Sequence, residues 1–118
     1  MRQHTGDLVL GYRDEQPIVL TAKERLKHVH ISGLTGAGKS RYLEHLIRQD
    51  LKAWPWTKRG MLVIDPHGEV VSGIMNWVSA NKLTHLPIIP IDFRQKDQIV
   101  SYNVLRQRTS EPSSMFNK

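Results

Sequence analysis

Eight consecutive residues, Gly33-Leu34-Thr35-Gly36-Ala37-Gly38-Lys39-Ser40, hold the most concentrated chemistry in this chain. They complete the pattern G-x-x-x-x-G-K-[ST], and each residue type in it meets a demand of holding a polyphosphate. Several N–H donors must converge on one anion, so the backbone has to come close and turn sharply. Gly33, Gly36 and Gly38 lack the side chains that would forbid both. A helix opening near Gly38 adds the unpaired amides of its first turn and the positive end of its dipole. Lys39 supplies a full charge to the β- and γ-phosphates, and the Ser40 hydroxyl is suited to ligate Mg2+. Thr35 and Ala37 are small and leave the approach open. The expected nucleotide-binding set is therefore Thr35, Gly36, Ala37, Gly38, Lys39 and Ser40, with ATP and Mg2+ as the ligands.

The elements that must position this loop are legible around it. Val29-His30-Ile31 reads as a short buried strand, and Arg41 to Leu51 as a helix. On that helix Leu43, Leu46, Ile47 and Leu51 form an apolar stripe, with Arg41, Glu44, Arg48 and Gln49 lying away from it. Lys52 to Gly60, with Trp54, Pro55 and Trp56, is expected to break the helix and run over the surface. Those two tryptophans beside basic residues either stack on nucleobases or pack on their own domain.

Met61 to Asp65 is an apolar run closed by an acid, the pattern of a buried parallel strand whose carboxylate emerges at the ligand-binding edge of the sheet. Pro66-His67-Gly68 turns the chain. Glu69 then opens a second helix with Val70, Val71, Ile74, Trp77 and Val78 on its apolar face and Asn81 as terminator. Ile88 to Phe93 reads as a third strand, shortened or placed at an edge by Pro90. Upstream, Leu8 to Tyr12 and Pro17 to Thr21 form a small hairpin around Arg13 to Gln16, and Ala22 to His28 is polar and tolerates helix.

The expected architecture is α/β: a P-loop parallel sheet with flanking helices and right-handed crossovers, incomplete and preceded by the hairpin. The divisions are a hairpin lead-in over 1–21, a partial P-loop core over 22–105 and a polar tail or linker over 106–118.

Composition bounds the rest. A chain of 118 residues can build one modest core. It contains no cysteine, which excludes disulfides and thiolate metal sites, and it has no apolar run of membrane-spanning length. The cytoplasm is the expected compartment. A net charge of +6 suits a polyanion such as DNA or RNA, although the basic residues are scattered and also fit a solvated surface. His28 and His30 share a face if extended but lack further metal ligands.

Taken in order, the loop, the segment Ile64-Asp65-Pro66-His67-Gly68-Glu69 and the stretch Tyr102-Asn103-Val104-Leu105 resemble the HerA/FtsK superfamily of DNA-pumping ATPases. The resemblance is nearest to the coupling proteins of conjugative transfer and type IV secretion. It spans roughly Arg25 to Leu105, including the basic lead-in Arg25-Leu26-Lys27-His28. One departure is Val104, where that family usually has proline. The resemblance implies an ATP-driven hexameric ring that threads DNA. It also implies docking on a membrane channel at the cytoplasmic face of the inner membrane, and a place for Asp65 near the Mg2+ and phosphate shell. The alternative for Asp65 is a cap on the turn.

In that family a later Asp-Glu pair holds Mg2+ and polarises the attacking water. Here the only Asp-Glu pair, Asp14-Glu15, precedes the loop. Catalytic residues are thus unassigned. The expectation is an N-terminal portion of a longer motor that binds nucleotide without turning it over. Two other readings remain: a compact P-loop kinase using Asp65 as its Walker-B acid, and a truncated remnant with no enzymatic role.

Overall fold

A computed structural model describes residues 6–92 of the chain. Two strands, a 3-10 turn and two helices follow in order: β1 Leu8–Arg13, β2 Gln16–Leu20, the 3-10 turn Glu24–Leu26, α1 Lys39–Thr57 and α2 Glu69–Ala80. All belong to a first unit that ends at Ile88, and a second unit begins at Ile89. Tyr102-Asn103-Val104-Leu105, Phe93 and the tail from 106 lie outside the described residues.

The hairpin forms as expected. β1 and β2 pair antiparallel, from Leu8 opposite Leu20 to Arg13 opposite Gln16. Asp14 and Glu15 both take positive φ, 47° and 64°, which matches the twist that a two-residue hairpin turn needs. The register slips between Val9 and Gly11, leaving Leu10 as an extra residue whose carbonyl accepts the Tyr42 hydroxyl of α1 at 2.8 Å. Gln49 completes the attachment by trading two hydrogen bonds with the Val9 backbone, each 2.9 Å. Further along, Arg25 forks onto both carboxylate oxygens of Asp50 at 2.7 and 2.6 Å. Thr21 and Glu24 form a reciprocal capping box on the 3-10 turn, and the Thr21 hydroxyl and amide hold the Glu24 carboxyl below its ordinary range.

The core lies between the helices. Ile47 and Leu51 of α1 meet Val70, Ile74 and Val78 of α2, and Leu86 closes the cluster. α2 keeps its expected bounds, with Asn81 as its C-cap.

Three expectations are corrected. First, α1 runs to Thr57 with Pro55 inside it, rather than breaking at Lys52. A proline one turn from the end forfeits a single intrahelical hydrogen bond, and the helix stops just afterwards at Lys58 in the left-handed region, whose amide donates to the Trp54 carbonyl at 2.9 Å. Second, Leu43 of the apolar stripe is exposed while Glu44 is 3% exposed.

Third, the expected parallel sheet is not formed among the described residues, whose only sheet is β1-β2. Val29 to Ile31, Met61 to Asp65 and Ile88 to Asp92 are not strands. Val63 packs on the helix cluster, yet its neighbours Leu62 and Ile64 are 85% and 82% exposed. A parallel strand needs hydrogen-bonded neighbours and cover on both faces. Here one residue in two is covered, so the run is extended chain lying against helices.

Candidate nucleotide-binding site

The loop has the backbone its glycines permit. Gly36 and Gly38 sit at φ 82° and 86°, in the left-handed region where an L side chain is strained, and a Cβ built on either would meet nothing within 4 Å. Both positions therefore face open space. Gly33 is different: its missing Cβ leaves room for the Lys39 stem, whose Cγ would lie 3.6 Å from it.

Lys39 crosses back over the loop and donates from Nζ to the carbonyls of Gly33 at 2.7 Å and Leu34 at 2.9 Å. Both acceptors are neutral, so this arrangement gives its charge no anionic partner. Ala37 donates its amide to the Leu34 carbonyl at 3.1 Å, which closes the loop into a turn and uses one of the donors expected to face phosphate. Thr35 and Ser40 are exposed, with Ser40 in the first turn of α1 beside Lys39.

The two helix starts make an instructive pair. Each is capped by a left-handed glycine, Gly38 for α1 and Gly68 for α2. At α2 a carboxylate fills the anion position: Asp65 accepts the Val71 amide at 3.0 Å and the His67 amide at 3.2 Å. The Val71 amide, with those of Gly68, His67 and Val70, holds the Asp65 carboxyl below its ordinary range against a smaller opposing effect of desolvation. Glu69, exposed in the first turn, adds charge of the sign that the helix dipole favours. At α1 no side chain among the described residues accepts from the amides that precede the first intrahelical donor, Tyr42, which bonds back to the Gly38 carbonyl at 2.9 Å. The same left-handed glycine start is thus closed by a carboxylate at one helix and has no such carboxylate among the described residues at the other.

Asp65 therefore takes the turn-capping place foreseen for it as one of two readings. His67 is exposed, and His28 and His30 join no cluster of three or more metal-ligating side chains among the described residues.

A feature that sequence reasoning missed supports α1 from behind. The Glu44 carboxylate is buried against Gly73 of α2, where a Cβ would come within 2.7 Å of it, and it accepts Arg48 at 2.8 Å and Arg41 at 3.3 Å. A glycine in the middle of an otherwise apolar helix was the available signal.

The model of the family described as the central domain of the helicase HerA matches residues 4–113. The chain belongs to that family. HerA-type membership makes this a domain of the P-loop ATPase superfamily, of the kind that drives motors, and accounts for the loop and for an α/β chain with ATP and Mg2+ as its expected ligands. No curated protein and no solved structure matches the chain.

The donor set of this HerA-family loop fits the triphosphate with its metal. An ammonium on neutral partners, a hydroxyl at the head of the helix, and uncapped first-turn amides beside an open glycine face are what a magnesium-bound polyphosphate takes.

Proposed function

We propose that this chain is the ATP-binding part of a DNA translocase, working in a ring of six copies as its resemblance to DNA-pumping ATPases implies. The observation that carries the nucleotide assignment is the contrast between the helix starts: Asp65 accepts amides at α2, and no side chain among the described residues does so at α1. When bound, Mg2+ spreads the charge of the phosphates and orients them.

The chain's own residues do the rest. Lys39 exchanges the carbonyls of Gly33 and Leu34 for phosphate oxygens. The exchange is favourable because it replaces neutral acceptors with anionic oxygens and so adds attraction between full charges. Gly36, Gly38, Lys39 and Ser40 present backbone amides, and the Ser40 hydroxyl would hold the metal. Asp65 keeps the Pro66-His67-Gly68 turn and the head of α2 in register. Both of its oxygens accept amides of this turn and helix.

DNA as substrate, conjugation or type IV secretion as setting, a membrane channel as partner and a cytoplasmic location all rest on the resemblance to coupling proteins. The test is calorimetric titration of the chain with ATP in the presence and absence of Mg2+, followed by ATPase assays with and without DNA. Mg-dependent binding that requires Lys39, without multiple turnover by this chain alone, supports the reading. ATP-dependent phosphorylation of a small metabolite overturns it.

A further inference from the structure

Five side chains of α1 recur along one line: Arg41, His45, Arg48, Lys52 and Trp56. Their spacings of four, three, four and four residues keep them within roughly 80° of arc and carry the line about 22 Å, starting one residue after Ser40. It is the face of α1 left between its two attachments. Tyr42 and Gln49 hold the hairpin on one flank, while Glu44, Ile47 and Leu51 hold α2 on the other.

The charge on this face is of one sign. Arg41 has 81% of its side chain exposed, His45 and Lys52 are exposed, and Arg48 is half-buried. The acid nearest the line, Glu44, is turned inward against Gly73 and accepts from both arginines. Asp50 lies on the opposite side of the helix in its pair with Arg25.

Aromatic rings hold the cations in place. The Arg48 guanidinium and the Lys52 ammonium lie 5.6 and 5.7 Å from the centroid of the Trp77 ring, and just beyond the helix the Lys58 ammonium lies 3.9 Å over Trp54. Long side chains fixed in this way lose less rotamer freedom on meeting an anion. At the far end of the line Trp56 is 59% exposed. A ring of that kind stacks on an unpaired base of any identity.

We propose that this stripe binds single-stranded nucleic acid, with Arg41, Arg48 and Lys52 on backbone phosphates and Trp56 against a base. The assignment rests on the DNA-motor reading and deepens it by giving the strand a track that leads away from the nucleotide loop.

The test is fluorescence anisotropy of labelled oligo-dT and oligo-rU titrated with the 118-residue chain across about 50–200 mM salt. Two or three phosphate contacts give a slope of log affinity on log salt between about −1.4 and −2.1. Lys52→Glu is expected to weaken binding at least about fivefold and flatten the slope by about 0.7. Trp56→Ala weakens it about fivefold or more with the slope unchanged. Lys23→Glu, an equal charge reversal on the exposed 3-10 turn away from the stripe, changes affinity no more than about twofold.

Circular dichroism confirms that each variant keeps its helices. Binding of dT, rU or both with this pattern supports the stripe. Absence of binding, an equal effect of Lys23→Glu, or self-association through Lys52 in place of oligonucleotide binding overturns it. Calorimetry with Mg-ATP on the same variants separates the two readings, because both stripe variants keep nucleotide affinity and Lys39→Ala loses it.

Discussion

Lys39 and Asp65 are two charges placed at two helix starts, and their different neighbours separate their roles. The Lys39 ammonium rests on two neutral carbonyls, so a phosphate displaces nothing of opposite charge when it arrives. Lys39→Ala is therefore expected to lower Mg-ATP affinity by at least about tenfold, the equivalent of one charge-assisted contact. The check is calorimetry; unchanged affinity counts against the site. Asp65 accepts amides of its own turn and helix. Its carboxyl is held below its ordinary value by the Val71 amide, so its stabilising effect is fully present above the unfolded value and is lost as pH falls through the lower folded one. Thermal unfolding across the acid range should show Asp65→Ala with a lower midpoint at neutral pH. The gap from the parent closes at the acid end, and a gap that stays constant with pH would rule out the ionised cap.

At the scale of elements, the helices and hairpin were legible because their signals are local. Val70, Ile74 and Val78 recur at helical spacing, Asn81 ends the helix, and Asp14-Glu15 turns between two short apolar runs. Glu44 was not legible, because a charged residue at a helical surface position reads as solvated until the partner helix is known. Its place is specific: it ties α1 to α2 across Gly73 and neutralises Arg48, whose side chain is 32% exposed. Glu44→Ala leaves that guanidinium with its acceptor removed. The expected loss is about 1–3 kcal/mol, below the figure for a fully buried pair because water reaches Arg48. Urea unfolding measures it, and a variant as stable as the parent would show that the pair contributes nothing. The hairpin turn offers the opposite sign. Glu15 sits at φ 64°, strained for an L residue by roughly 1–2 kcal/mol, and glycine removes that strain at an entropic cost of about 0.5–1. Glu15→Gly should therefore stabilise by up to about 1 kcal/mol, read from the same unfolding curves.

For the molecule as a whole, the parallel sheet was the part the sequence could not settle. An apolar run such as Met61 to Ile64 states that it can be buried, but strand pairing depends on what lies beside it. Here Leu62 and Ile64 face outward while Val63 packs on the helices. The consequence is a small core: among the described residues no side chain is fully buried. Ligand binding should then weigh heavily in the stability of the chain. A ligand at one hundred times its dissociation constant adds about 2.7 kcal/mol to the folded state. For a domain of 60–100 residues each kcal/mol moves the melting temperature by about 4–8 °C, so saturation with Mg-ATP should raise it by roughly 10–20 °C. At the same Mg-ATP concentration the shift must fall by about half or more in Lys39→Ala, whose own melting temperature stays close to the parent's because the Lys39 ammonium donates to carbonyls of its own loop. Differential scanning fluorimetry over a range of Mg-ATP concentrations decides the matter. An equal shift in parent and variant would mean that the nucleotide stabilises the chain somewhere other than the glycine loop.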